Sequence, residues 1–193
     1  MAGSARAILR LLYRWGLRLR MVESLTWGPW GAACGAAAGL LVALVARVWP
    51  LMLTHWLIAL SGTLALAGFA IGAVTPWLRP RSPLRLAYIF DRRFGLAERL
   101  TTALELSAGR IKTTREMAHA QISDALQAAR SIDVQALLPL RVSRRALVAF
   151  GLMVFALVLL FWLPNPQDRV LLQRAALRKT IEAQRERLEA IRQ

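Results

Sequence analysis

The sequence has few residues of the kinds that build disulfides, metal sites and acid–base centres. One cysteine, Cys34, and two histidines stand among 193 residues. A single cysteine excludes an intramolecular disulfide, and with only two histidines it excludes a Cys/His zinc framework. Acidic residues are also scarce, with 11 Asp and Glu against 26 Lys and Arg. The chain is 56% hydrophobic with a net charge of +15, a combination typical of an integral membrane protein facing anionic lipid.

Charged side chains are absent from three long segments. No Asp, Glu, Lys or Arg occurs in 24–46, 48–78 or 146–167. A membrane span needs about 20 apolar residues at about 1.5 Å each, so we place spans near 30–48, 54–77 and 146–163. Pro50 breaks the chain in a tight hairpin between the first two spans. Six tryptophans lie near the span ends, as interfacial tryptophans do: Trp27, Trp30, Trp49, Trp56, Trp77 and Trp162.

These segments predict an all-α integral membrane protein with three transmembrane helices, a cytoplasmic helical insert between spans 2 and 3, and an extracytoplasmic C-terminal helix. The first 23 residues carry five basic side chains and 79–145 carries thirteen, so the positive-inside rule puts both in the cytoplasm. The predicted parts are an interfacial amphipathic helix (1–23), a two-span hairpin (24–78), a cytoplasmic helical domain (79–145), a third span (146–164) and an amphipathic or coiled-coil helix (165–193).

The N-terminal segment has two opposite helical stripes. Arginines recur every four residues on one of them, at Arg6, Arg10, Arg14 and Arg18, and apolar residues occupy the other, at Ile8, Leu12, Trp15 and Leu19. This pattern predicts a helix lying in the membrane interface, with its arginines among lipid headgroups. An Arg-rich start without acidic residues also fits an organellar transit peptide.

Small residues form a stripe on each of the first two spans. Helices in lipid associate through close backbone approach across such residues. We predict that the two stripes pack against each other in the hairpin; the alternative is that one of them binds another protein or a flat cofactor. The stripe residues are Gly31, Gly35 and Gly39 on the first span, and Ser61, Ala65, Gly68 and Gly72 on the second.

Few residues could hold a cofactor or do chemistry. No charged residue lies inside a span, which argues against an ion or proton pathway. His55, at the edge of the second span, is the one candidate ligand for a haem or pigment, and a polar interfacial anchor is the simpler interpretation. Glu116 and His119 form a single Glu-x-x-His pair, whereas four-helix di-iron sites use two. We therefore predict no bound metal or cofactor, apart from a lipid, quinone or pigment contact.

The cytoplasmic segment contains a charged corner, "DRRFGLAERLTTALEL" from Asp91 to Leu106. Ser82 and Pro83 predict a helix start, and Gly95 predicts its end. A second helix is expected to begin at Leu96, and Thr113 or Thr114 and Ser143 are expected to cap later helices. Asp91 falls near a helix C-terminus, where an anion is disfavoured. Arg99 is the expected partner across this structural corner, formed by Asp91, Gly95 and Arg99.

The corner also carries a resemblance. "LAYIFDRRFGLAERLTTALEL", "ALLPLRVSRRAL" and "PNPQDRVLLQRAALRKTIEAQRERLEAI" resemble an uncharacterised group of bacterial membrane proteins. That group has a two-span hairpin, a D-R-x-x-G-L-x-x-R-L-x-T-A cytoplasmic motif, a third span and a coiled-coil tail. The resemblance covers about residues 30–193 and implies this architecture in a bacterial cytoplasmic (inner) membrane, without implying an activity.

The tail after Asp168 shows alternating spacings of four and three. Its seam consists of Leu177, Ile181, Gln184, Leu188 and Ile191. This pattern predicts either a short coiled coil that forms a homo-oligomer or a single amphipathic helix. The seam is still in register at Gln193, so we expect the natural chain to continue.

The sequence favours a non-catalytic membrane scaffold or accessory subunit, whose partners are membrane lipids and other membrane proteins rather than nucleic acid. Small-residue span faces, a protruding tail and the lack of a catalytic grouping motivate this hypothesis. The alternative is a subunit of a photosynthetic or respiratory complex that contacts a cofactor through His55. An enzyme using Glu116 and His119 is a third hypothesis, which metal analysis would test.

Overall fold

The computed structural model is helical throughout the residues it describes, which are 2–49, 52–163, 170, 173, 176, 177, 180–182 and 184. Within them no strand occurs. The helices are α1 (Ala2–Val48), α2 (Thr54–Leu78), α3 (Pro83–Phe94), α4 (Arg99–Ser107), α5 (Arg115–Arg130), α6 (Val134–Leu137) and α7 (Arg144–Trp162).

Three of these helices, α1, α2 and α7, are long and apolar enough to cross a membrane. The prediction of an all-helical chain with three apolar spans is thus confirmed at the level of helix length and composition. Helix α1 continues through Pro29, and α2 continues through Pro76. Pro50, the predicted hairpin breaker, lies outside the described residues.

The chain divides into two compact units. Unit 1 consists of Met1–Leu25 and Val74–Arg141, and unit 2 consists of Thr26–Ala73 and Val142–Gln193. Helices α1 and α2 each contribute residues to both units, whereas α3 to α6 belong to unit 1 and α7 to unit 2. The N-terminal residues and most of the predicted cytoplasmic insert, 79–141, therefore share one unit.

The core of unit 1 contains the apolar stripe of the N-terminal segment. Ile8, Leu12, Trp15 and Leu19 are buried in one cluster with residues of α3, α4 and α5. The Trp15 ring meets the rings of Phe90 and Phe94 edge-on, with centroids 5.3 Å and 5.4 Å away. The structure thus differs from the predicted interfacial helix over 1–23: this stripe packs against protein, and α1 continues without a break to Val48.

Side-chain caps mark three helix starts at predicted positions. Ser82 accepts a hydrogen bond from the Arg85 backbone nitrogen at 3.2 Å, and Thr114 accepts one from the Met117 nitrogen at 3.4 Å. At the start of α7, Ser143 accepts one from the Ala146 nitrogen at 3.4 Å. These bonds satisfy N–H groups that a helix leaves unpaired at its first turn.

Two features of this region differ from the prediction. Helix α4 begins at Arg99 rather than at Leu96, because Ala97 and Glu98 adopt left-handed backbone angles with φ of 48° and 61°. The short helix α6 was not predicted; Asp133 caps it by accepting bonds from the backbone nitrogens of Gln135 and Ala136.

Most of the tail lies outside the described residues, including Asp168, Leu188 and Ile191. Of the predicted seam the structure describes Leu177, Ile181 and Gln184, all exposed. The heptad interpretation of 165–193, the homo-oligomer built on it and the continuation beyond Gln193 stay predictions.

Candidate functional site

The corner between α3 and α4 is built around the buried carboxylate of Asp91, which is 3% exposed. Its Oδ1 accepts a hydrogen bond from the Leu100 backbone nitrogen at 3.1 Å. Its Oδ2 accepts bonds from the Thr101 backbone nitrogen at 2.8 Å and from the Thr101 hydroxyl at 2.6 Å. Asp91 therefore caps the first turn of α4 from the last turn of α3.

The α3 end of the corner depends on Gly95. This residue has φ 67° and donates its backbone N–H to the Asp91 carbonyl, which also accepts the Leu96 N–H at 2.9 Å. A left-handed residue at this position is a frequent helix terminator, and glycine adopts it without steric cost. The turn brings the Asp91 carboxylate to the α4 N-terminus, where the helix dipole favours an anion.

The prediction that Arg99 pairs with Asp91 is wrong. Arg99 instead lies with its Nε 3.5 Å from Oδ2 of Asp124 on α5, and both side chains are at least half exposed. The true partner is the backbone of α4 together with Thr101, which the sequence analysis did not single out. Thr101 occupies a variable position of the D-R-x-x-G-L-x-x-R-L-x-T-A motif, so the motif offers no signal for it.

Replacing Asp91 with alanine is expected to lower the free energy of unfolding of unit 1 by about 2 kcal/mol, because a helix cap is lost and a buried N–H is left without a partner. In this variant, hydrogen exchange of the backbone amides in 96–108 should accelerate more than that of the amides in α5. The matched control is Asp124→Ala, which removes an exposed carboxylate and should change stability by less than about 0.5 kcal/mol. Equal effects of the two substitutions would contradict the capping role.

The small-residue stripes of α1 and α2 face each other within unit 2. A Cβ built on Gly31 would lie 2.8 Å from the Gly68 carbonyl carbon, and one on Gly39 would lie 2.8 Å from the Ser61 Cα. Gly35 meets Leu64 and Ala65 in the same way. The two backbones therefore touch where only glycine fits, as close packing in lipid requires. The described geometry agrees with the predicted packing of the two stripes against each other in the hairpin.

The C-terminal end of α7 is held by Arg47 of α1, within unit 2. The Arg47 Nη2 donates to the Leu160 carbonyl oxygen and, at 2.7 Å, to the Leu163 carbonyl oxygen. A cation is favoured at a helix C-terminus, where the last carbonyls lack intrahelical partners. The one basic residue of the predicted hairpin thus ties the C-terminal end of α7 to that of α1.

Replacing Arg47 with methionine is expected to lower the free energy of unfolding by about 1 kcal/mol, since two carbonyls lose their donor. Tryptophan fluorescence during thermal unfolding in a maltoside detergent measures this loss. Arg145→Met is the control because Arg145 is exposed in the first turn of α7. A melting temperature equally affected by both would contradict a specific role for Arg47.

The residues proposed for cofactor or acid–base chemistry are all exposed. His55 is exposed and its ring lies 5.4 Å from that of Trp56. Glu116 and His119 are both exposed on α5. Over the described part of the chain, no group of three or more His, Cys, Asp or Glu side chains is placed to hold a metal ion.

The arginine stripe of α1 is divided between solvent and protein. Arg6, Arg10 and Arg14 are exposed. Arg18 is half-buried, and its Nε donates to the Leu138 carbonyl oxygen at 3.0 Å. Arg18 therefore fixes the chain after α6 to α1. Contact with lipid headgroups stays a prediction for the other three arginines only.

Comparisons with protein-family models, with curated proteins and with solved structures found no match to this chain.

Proposed function

We propose that this chain is a non-catalytic scaffold or accessory subunit that assembles with other proteins in a bacterial cytoplasmic membrane. In this proposal the N-terminus and 79–145 lie in the cytoplasm, and the chain after α7 lies on the opposite side, as the distribution of Arg and Lys favours. Membrane lipids are the second class of partner in this proposal.

The surface of α7 is the observation that supports this proposal best. One face of α7 packs within unit 2 through Leu157, and most of the rest of its surface is exposed and available to lipid or to another helix. Large apolar side chains cover this surface: Leu147, Val148, Leu152, Phe155, Val158 and Leu159. Exposed apolar area of this extent is typical of a membrane or subunit contact.

The small-residue stripes motivated the scaffold hypothesis as surfaces for a partner, and the packing of α1 on α2 does not favour that use of them. They are occupied within the hairpin, so a partner cannot use them without opening it. A partner helix would instead pack on the outer face of α7, where fit between side chains supplies the association energy because lipid tails are as apolar as leucine.

Site-specific photo-crosslinking tests the proposal in native membranes. A photoreactive phenylalanine at position 152 replaces an exposed leucine of α7, and the same residue at position 157 replaces a buried one. We expect position 152 to give a protein adduct of discrete mass, identified by mass spectrometry, and position 157 to give none. Adducts with lipid alone at 152, and migration as a monomer in mild detergent, would overturn the proposal.

The absorption spectrum of the same purified sample separates the cofactor-contacting alternative from the scaffold. A visible band that is lost in His55→Ala would favour a pigment- or haem-contacting subunit. A colourless sample that retains its protein adduct would support the scaffold.

A further inference from the structure

Unit 1 contains a pocket of about 280 Å³ between the N-terminal half of α1 and the chain that leads from α2 into α3. Successive turns of α1 line it from Leu9 to Arg20, a length of roughly 16 Å at about 1.5 Å per residue. Its wall on α1 and α3 is mostly apolar, from Leu9, Leu12, Leu17 and Leu86.

One end of this pocket is cationic. Arg20 and Arg81 both line it, and a single carboxylate, Glu23, lies one turn after Arg20. The Arg81 Nη2 donates to Glu23 Oε2 at 2.6 Å, and the Arg20 guanidinium lies over the Trp77 ring at 5.9 Å. Two guanidinium groups and one carboxylate therefore lie at this end, and Arg81 is the one that pairs with Glu23. This end thus has a net positive charge.

The Arg81 guanidinium also has an unused donor. Its side chain is 11% exposed, and its Nη1 is buried without a hydrogen-bond partner among the described residues. A buried N–H group without a partner is costly, and an oxyanion relieves that cost most effectively because guanidinium groups bind carboxylate and phosphate oxygens through paired donors.

We propose that this pocket binds a single-chain anionic amphiphile from the membrane. Its oxyanion head lies at Arg20 and Arg81, and its apolar chain follows the leucines toward Leu9. The volume of about 280 Å³ lies just below the roughly 300–1,000 Å³ usual for ligand pockets, so it suits one chain rather than two. This site is distinct from the outward arginines Arg10 and Arg14, which do not line the pocket. The site is also independent of the proposed scaffold role, because no residue of α7 lines the pocket.

Dodecyl phosphate is the probe, added to the purified full chain in neutral dodecyl maltoside and followed by native mass spectrometry and titration calorimetry. We expect saturable binding of one probe molecule per chain. Inorganic phosphate alone is expected not to bind detectably at the same concentration. Equal binding of inorganic phosphate would show an anion site without a chain-binding function, and equal binding of dodecanol would show a purely apolar groove; either result overturns the proposal.

Substitutions at the cationic end give the second test. Arg20→Gln and Arg81→Gln are each expected to weaken binding of dodecyl phosphate at least about tenfold, as loss of a charge-assisted hydrogen bond implies. Arg14→Gln removes the same charge from the exposed face of α1 and is expected to leave affinity unchanged. Arg81→Lys, which retains a cation beside Glu23, should bind more tightly than Arg81→Gln.

Loss of fold is distinguished from loss of the site by circular dichroism and by the melting temperature of each variant. Arg20→Gln keeps the pair between Arg81 and Glu23, so it reports on the pocket even where Arg81→Gln loosens unit 1. An affinity that is the same in the wild-type chain, Arg20→Gln and Arg14→Gln would refute the site.

Discussion

Replacing Trp15 with alanine is expected to lower the free energy of unfolding of unit 1 by about 4 kcal/mol, the range found when a large buried aromatic is truncated. Trp15 is 6% exposed and meets two phenylalanine rings of α3 edge-on, a geometry that adds to the energy of burial. Thermal unfolding of the full chain in detergent, followed by near-ultraviolet circular dichroism, measures the loss. Amide exchange across α3 should rise in parallel, because α3 loses its packing partner.

The control for this prediction is Trp30→Ala, which truncates a tryptophan that is 40% exposed farther along the same helix. A much smaller change in the melting temperature is expected there, since fewer packed atoms are lost. Burial of the N-terminal segment in protein and anchoring of it in lipid predict opposite results for Trp15→Ala. If Trp15 anchored an interfacial helix in lipid, Trp15→Ala would weaken membrane binding of the segment and leave the melting of α3 unchanged.

The apolar stripe that contains Trp15 was visible in the sequence, but the surface that covers it was not. Ile8, Leu12, Trp15 and Leu19 recur at helical spacing, which correctly indicates one buried face. The same stripe can be buried by lipid or by protein, and helical periodicity alone does not distinguish them. Proximity in sequence to a predicted span favoured lipid, whereas most of the covering residues lie about seventy or more positions away, on α3, α4 and α5.

The corner at Asp91 shows the same division between local and non-local information. Gly95 and Ser82 act through neighbours within four residues, so residue type was enough to predict their roles. The Asp91 carboxylate binds backbone N–H groups nine and ten residues later. Every residue type except proline has a backbone N–H, so residue type does not show which one the carboxylate binds. The nearby cation Arg99 was therefore the partner that the sequence favoured. Ala97 and Glu98 adopt left-handed backbone angles, which move the start of α4 to Arg99. Such angles are uncommon outside glycine, so the residue types at these positions did not predict them.

The packing of α1 on α2 leads to the last prediction, a strong loss of stability in Gly35→Leu. A Cβ at this position would lie 2.7 Å from the Leu64 carbonyl carbon and 2.9 Å from the Ala65 Cα. Backbone atoms cannot move aside as a flexible side chain can, so the two helices must separate. We expect a cost of about 3 kcal/mol, which corresponds to a fall in melting temperature of roughly 6 to 12 °C for a chain of this size.

Gly62→Leu is the matched control because Gly62 lies on α2, yet a Cβ there would meet nothing within 4 Å. Leucine has a higher helix propensity than glycine, so this control is expected to hold or slightly raise the melting temperature. Gly35→Ala should fall between the two, since it adds only the clashing Cβ. If Gly35→Leu instead kept the stability of the isolated chain and abolished the protein adduct at position 152, the glycine stripe would be a partner surface, and the hairpin would have to be held together by other contacts.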